Sequence, residues 1–391
     1  MSGLDRCPRP RSVRRGAALT LVFAGLLATG VATGSFGGDP SGRDHNDRDL
    51  SARSAAPASS SERVADAAAE AMADGKSPAA AAEEEVSRSG DRWGAVYDPA
   101  EYRAFAEELD GAYIGVGLWT RSGDDGRIEV DRVQRGGPAE RAGIRTGDRL
   151  RSIDGRPIAG KPVREVAELL RGTGSGEGTR VELGLQRGSR TWTESLRRAR
   201  LERPTVTVEQ RADGTLWIKV SAFTKGTGER VREAVRTAPQ GGGVVLDLRG
   251  NSGGLVAESV TAASAFLDGG LVATYDVRGE QRALHARGGG DTDRPLVALV
   301  DGGTMSAAEL LAGALQDRGR AVVLGSRTFG KGSVQMPSRL PDGSVAELTV
   351  GHYRTPSGRG VDGRGITPDV DVDEGAEARA RTVLSGLGTP S

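Results

Sequence analysis

Between Trp217 and Gly325 the chain alternates short, fully apolar runs with amphipathic ones. WIKVSAF (217–223), GGVVLDLRG (242–250), PLVALVDG (295–302) and AVVLG (321–325) read as strands, and three of them are apolar on both faces. GERVREAVRTA (228–238), ESVTAASAFL (258–267) and SAAELLAGALQDRG (306–319) lie between them with helical spacing. A strand apolar on both faces must be covered on both sides, and strands separated by helices run parallel. This alternation predicts a multidomain α/β (α+β) protein with a layered α/β core.

The rest of the 391 residues divides around that core. RCPRPRSVRR is followed by AALTLVFAGLLATGVATG, a basic stretch and then a moderate apolar run. This predicts that residues 1–34 are an export signal or, if retained, an anchor lying in the membrane through residues 17–33. Residues 35–60 are rich in Gly, Ser, Asp and Pro, cannot build a core, and read as a disordered linker. Residues 61–110 read as a helical region, broken near Pro78, with Asp98 as N-cap and Pro99 at the first position of a helix reaching about Leu109. Residues 111–198 change character: YIGVGLWT, RIEVDRV, DRLRSIDG and RVELGLQR are short alternating strands, with a short helix at Pro138 and an amphipathic one in VREVAELLRG. The C-terminal EGAEARARTVLSGL reads as a surface helix closing a 199–391 core.

Composition narrows the chemistry. The formal net charge is zero, with 53 basic and 53 acidic residues, so no field of one sign argues for nucleic acid. Cys7 is the only cysteine, which excludes a disulfide and a thiolate metal site, and no metal site is expected. Lysine is scarce, at positions 76, 161, 219, 225 and 331 only. In a chain this rich in Arg, a Lys suits a place where a proton must leave.

The stretch GSRTFGKGSVQ (325–335) makes Lys331 the sharpest candidate. Gly325, Gly330 and Lys331 match the phosphate-binding spacing G-x-x-x-x-G-K. However, Gly332 stands where Ser or Thr would hold Mg²⁺, and Pro337 and Pro341 prevent the helix whose N-terminus would face the phosphates. The acidic strand in VVLDLR also precedes this loop instead of following it. The other reading is a catalytic base. GGTMSAAELL (302–311) brings Ser306 to the start of a helix, where unsatisfied N–H groups suit an oxyanion, although helix physics alone also accounts for a serine there as an N-cap. A lysine serves as the base if burial lowers its pKa toward the working pH, and Phe329, Val334 and two glycines give Lys331 an apolar setting. Asn251-Ser252-Gly253-Gly254 reads on its own as an ordinary turn after a buried strand.

TMSAAELLAGALQDRGRAVVLGSRTFGKGSVQ (304–335) closely resembles the core of the tail-specific, C-terminal processing proteases, the Ser/Lys peptidases of the S41 type. VVLDLRGNSGGL (244–255), YRTPSGRGVDGRGITPDV (353–370) and DRWGAVYDPAEYRAFAEELDGAYIGVGL (91–118) extend the resemblance over roughly 92–372. It implies a crotonase/ClpP-like core in which Ser306 is the nucleophile, Lys331 its base and Gln335 the residue orienting the lysine. The oxyanion would be held by the N–H groups of Ala307 and of Gly253 or Gly254, and no cofactor is needed. One departure is Thr304-Met305-Ser306-Ala307, where the family has Ser-Ala-Ser-Ala. GGPAERAGIRTGDRLRSIDGRPI (136–158) resembles a PDZ domain, a partly open β-barrel with two helices. Ile114, Gly115, Val116, Gly117 and Leu118 would then capture the C-terminal carboxylate of a protein or peptide substrate. His352 is read as structural. The expected function is an exported serine endopeptidase, with a catalytically dead peptide-binding scaffold of the same fold as its rival.

Overall fold

The computed structural model describes residues 60–387 apart from 124–125, 173–175, 240 and 278–279. The segment expected to direct export or anchoring lies outside the described residues, as does nearly all of the linker. Among the described residues no helix is long and apolar enough to cross a membrane.

The chain begins with α1 (Ser60–Ala73), α2 (Pro78–Ser89), β1 (Ala95–Tyr97) and α3 (Pro99–Leu109). Pro78 starts α2 at a position whose N–H would have no partner, and Ser77 caps it. Asp98 caps α3 with Pro99 at its first position, as the sequence predicts, and Glu101 completes a reciprocal capping box.

The next module contains β2 (Ala112–Gly115), β3 (Leu118–Ser122), β4 (Ile128–Val133), α4 (Pro138–Arg141), β5 (Arg149–Ile153), β6 (Arg156–Pro157), α5 (Val163–Arg171), β7 (Arg180–Arg187), β8 (Arg190–Arg197) and β9 (Ala199–Glu202). Its main sheet runs β3-β4-β5-β7-β8, with β6 on β5, while β2 and β9 pair separately. Val166 and Leu170 of α5 close a core with Ile128, Val130, Leu150, Leu183 and Leu185.

The remaining elements are β10 (Val206–Gln210), β11 (Leu216–Val220), α6 (Thr227–Thr237), β12 (Val244–Asp247), α7 (Val256–Ala263), β13 (Leu271–Val277), β14 (Glu280–His285), β15 (Leu296–Val300), α8 (Ala307–Asp317), β16 (Val322–Gly325), β17 (Ser333–Arg339), β18 (Val345–Arg354), β19 (Val370–Asp371) and α9 (Ala376–Leu387). A six-stranded sheet runs β10-β11-β12-β15-β16-β19. It is parallel from β11 to β19, with β10 antiparallel at the edge. One face packs against α6, α7 and α8 through Ile218, Val231, Leu246, Ala262 and Leu311. The other face is covered by α9, whose Ala376, Ala380 and Leu384 meet Trp217, Val245, Leu299 and Leu324. The C-terminal helix expected on the surface is thus the second cover that a parallel sheet requires.

A second sheet was not foreseen from the sequence. It runs β1-β18-β13-β14, with β17 also on β18, all antiparallel. The α1–α2 hairpin packs its Val64, Ala68, Ala82 and Val86 on Ala346 and Leu348 of this sheet. The strand β17, which follows Lys331, replaces the helix that a phosphate loop would need.

Candidate active site

Three loops meet where adjacent parallel strands end: 248–254 after β12, 301–306 after β15 and 326–332 after β16. Crevices at the carboxyl ends of such strands are where α/β folds place their chemistry. The loops are joined by backbone bonds, from Met305 N–H to Asn251 O at 2.8 Å and from Phe329 N–H to Thr304 O at 3.1 Å. Thr304 Oγ1 donates to Leu248 O at 3.0 Å.

Ser306 caps the N-terminus of α8 in a strained backbone conformation, φ 58° and ψ −117°. Such a conformation costs a non-glycine residue about 1–3 kcal/mol and persists only where its surroundings impose it. The residue is completely buried, yet its Oγ has no hydrogen-bond partner. Backbone geometry therefore holds a buried hydroxyl out of the capping role that helix physics alone would assign.

Lys331 is held beside it by two groups. Glu309 Oε2 accepts from Ser306 N–H at 2.8 Å and from Lys331 N–H at 2.9 Å. Its Oε1 accepts from Gly330 N–H at 2.7 Å and Thr328 Oγ1 at 2.5 Å. The two amides thus lie no more than two hydrogen bonds apart. Burial pushes the Glu309 carboxyl up, and these four donors pull it back. From the opposite side, Tyr353 Oη shares its proton between Ser306 O at 2.9 Å and Lys331 O at 3.1 Å. Neither Glu309 nor Tyr353 was singled out from the sequence. The spacing Ser-x-x-Glu at a helix start was the available signal for Glu309.

The Lys331 side chain is completely buried, and its Nζ lies 4.7 Å from the centroid of the Trp93 ring. Burial lowers its pKa from 10.5 to about 8, against opposing pulls from Glu347, Asp91 and Glu309. A neutral amine, able to accept a proton, is therefore accessible near neutral pH. The glycine that spoils the phosphate loop has a packing reason: a Cβ on Gly332 would come within 2.4 Å of Asp362 N.

Gln335 is also fully buried. Its Nε2 donates to Ser333 Oγ at 2.8 Å and Thr349 Oγ1 at 3.1 Å, while its Oε1 has no hydrogen-bond partner. Glu347 of β18, another residue the sequence reading did not single out, is buried with neither carboxylate oxygen bonded. Burial pushes it up to about 7, with the Lys331 charge acting in the other direction. Among the described residues, the buried side-chain polar atoms without partners belong to Ser306, Gln335 and Glu347 alone. Unsatisfied buried groups are rare in folded proteins and tend to gather where function demands them.

The proposed oxyanion groups are also close by. A Cβ on Gly253 would sit 2.9 Å from Ser306 Cβ and 3.2 Å from Ala307 N, so only glycine fits there, at φ 96°. The Gly253 N–H is already engaged with Asn251 Oδ1 at 2.9 Å. Asn251 is in turn anchored to Val220 O at 2.9 Å. Gly254 packs on Phe223, where a Cβ would lie 2.3 Å from the carbonyl oxygen. Met305 is half-buried beside the nucleophile. His352 is exposed, 3.8 Å from Asp362.

In the smaller module, Gly115, Val116, Gly117 and Leu118 line a cavity of about 110 Å³ together with Val163, Ala167 and Leu170 of α5. Ile114 is not among its lining residues; it lies on β2 opposite Arg200. Ala139 N–H and Gln134 N–H donate to the carbonyls of Val116 and Gly117, both at 2.9 Å. Trans peptide geometry then turns the N–H groups of Gly117 and Leu118 away from those partners, as a carboxylate-binding nest requires.

Both modules match known families. The family model for peptidase family S41 matches residues 214–372, and one for the PDZ domain matches 129–187. The chain is 36% identical over 310 residues to the chloroplastic carboxyl-terminal-processing peptidase 3 of Arabidopsis thaliana, covering 74% of this chain and 59% of that one. It is 31% identical over 288 residues to the carboxy-terminal processing protease CtpA of Bacillus subtilis, covering 72% and 61%. The chain thus spans about three fifths of the length of these curated relatives. Among solved structures, the photosystem II D1 C-terminal processing protease matches with a TM-score of 0.50 and 31% identity, over 80% of this chain and 86% of that one.

Proposed function

The chain belongs to peptidase family S41, among the C-terminal processing proteases that carry a PDZ domain, and from that premise we propose that it is an exported serine endopeptidase working by Ser/Lys acyl transfer. The neutral amine of Lys331 takes the proton of Ser306 Oγ as that oxygen attacks the scissile carbonyl carbon. The oxyanion is received by the N–H of Ala307, at the positive end of α8, and by the glycine loop, where the Gly254 N–H serves while Gly253 N–H holds Asn251. Collapse of the tetrahedral intermediate breaks the C–N bond, and the Lys331 ammonium protonates the leaving amine. The neutral lysine then takes a proton from water as the water oxygen attacks the Ser306 ester, and the ammonium gives that proton to Ser306 Oγ as the C–Oγ bond breaks and the acid leaves. Gln335 orients the amine. The PDZ module recruits the C-terminal tail of a protein substrate, the peptide adding as a strand along 115–118 with its last side chain in the cavity against α5. Residues 1–34 direct the chain across the membrane.

The observation that carries this reading is a buried lysine with its pKa drawn toward neutrality, clamped through Glu309 and Tyr353 to a strained serine whose hydroxyl has no partner. Mass spectrometry of an unfolded protein after incubation tests it. New internal cleavages are expected with the native chain and none with Ser306→Ala or Lys331→Ala. Equal cleavage by Ser306→Ala would refute the proposal.

A further inference from the structure

The segment between α2 and β1 reaches this site from more than 200 positions away in sequence, and the mechanism above does not use it. Asp91 Oδ2 accepts from Thr349 N–H at 2.8 Å, and Oδ1 accepts from Thr349 Oγ1 at 2.8 Å and from Trp93 N–H at 3.0 Å. A threonine hydroxyl has one proton, and here Asp91 receives it. Thr349 Oγ1 can therefore only accept from Gln335, so the end of the Gln335 amide facing it at 3.1 Å must be Nε2. Ser333 Oγ holds the same nitrogen at 2.8 Å. The fully buried amide is left with Oε1 as its one open group. Two residues beyond Asp91, Trp93 lies over Lys331 Nζ and meets Phe329 with ring centroids 5.9 Å apart.

We propose that Asp91 is a positioning residue of the catalytic apparatus: through Thr349 it dictates that Gln335 presents its carbonyl oxygen, and not its NH₂, to the Lys331 amine. An acceptor there, open in this structure, can receive an amine N–H without occupying the nitrogen lone pair that Ser306 needs. A donor there would compete for that lone pair. Asn at 91 has one oxygen for three donors, and in the orientation that keeps the Thr349 N–H bond its NH₂ faces Trp93 N–H and offers Thr349 Oγ1 a donor. The hydroxyl proton then turns toward Gln335, and the Gln335 amide flips to keep its bonds. The change in geometry is small, but the group facing the lysine is inverted. The α1–α2 hairpin carries Asp91 and Trp93 together, so its docking on β18 completes the site.

This inference rests on the Ser/Lys reading, and the experiment separates the two. The full chain is assayed for kcat and KM on fluorescein-labelled casein, with urea denaturation of every variant. Asp91→Asn and Thr349→Val are each expected to lower kcat about 10- to 100-fold, within the range general base catalysis contributes, with KM changed less than about threefold. The double variant should be no slower than the slower single one, as for residues acting through one hydroxyl. Thr349→Ser, which restores that hydroxyl, should recover most of the rate lost in Thr349→Val. Asp91→Asn folded and turning over at the native rate, beside an inactive Ser306→Ala, overturns the relay and leaves the proposed function standing. Losses that multiply in the double variant also overturn it, as do losses that track the unfolded fraction. Should Asp91→Asn not fold, the Val and Ser variants at 349 decide: equal rates in the two overturn the relay. Casein cleavage surviving in Ser306→Ala overturns both readings.

Discussion

Glu347 is a buried carboxyl without a hydrogen bond, and its replacement by glutamine has a calculable effect. In the unfolded chain this group ionises near its ordinary 4.5, whereas burial makes the folded chain hold the proton to about pH 7. Neutral Glu347 is tolerated inside and charged Glu347 is not. Its contribution is therefore fully present below about pH 4.5 and is lost as pH rises to about 7. Carrying the carboxyl from 4.5 to about 7, at about 1.4 kcal/mol per pH unit, makes that loss about 3 kcal/mol. A glutamine in its place carries no such proton, and the two side chains have nearly the same shape. Urea denaturation of the native chain and Glu347→Gln at about pH 4 and about pH 8 isolates the titration, because packing differences are common to both conditions. The variant should gain about 3 kcal/mol on the native chain between the two. A kinetic consequence accompanies it. The Glu347 charge is the largest influence favouring the Lys331 ammonium, so its removal should move the acid limb of the kcat/KM profile below about pH 8. Stability curves that stay parallel from pH 4 to 8, with an unmoved acid limb, would refute the assignment of Glu347 as a buried neutral acid coupled to the lysine.

Two further outcomes follow from the same geometry. Gly253→Ala places a Cβ 2.9 Å from Met305 O and from Ser306 Cβ at φ 96°, and should cut kcat/KM by about 100-fold or more while costing about 1–3 kcal/mol of stability, read by steady-state kinetics and urea denaturation. Lys331→Met removes the amine that burial holds down at about 8. It should abolish cleavage yet raise stability at about pH 7 by about 3 kcal/mol, an advantage that shrinks between about pH 8 and 10.5, where the native lysine has lost its charge in the folded chain but still carries it in the unfolded one.

The α/β core was legible because its central parallel strands β12, β15 and β16 are runs of residues apolar on both faces, and only burial between helices satisfies such a run. The caps at Asp98 and Pro99 were legible because helix termini have local chemistry. Ser306 and Lys331 could be picked out because each stands at the end of one of those runs. The second sheet was not legible. Its strands β17 and β18 mix buried Ser333, Gln335 and Glu347 with apolar neighbours, so no apolar alternation marks them. The largely exposed strand β14 has as little signal.

By itself, then, the sequence determined the layered core, the serine at a helix start and the lysine in a tight glycine loop, because these depend on short-range periodicity and turn chemistry. Only the tertiary structure decided that Glu309 and Tyr353 clamp the two together, that Glu347 lies buried without a partner, and that Asp91 and Trp93 reach the site from the far end of the chain. Those relations depend on which strand pairs with β18 and which helix covers it. Such pairings are set by burial summed over the whole molecule, and no local stretch of residues encodes them.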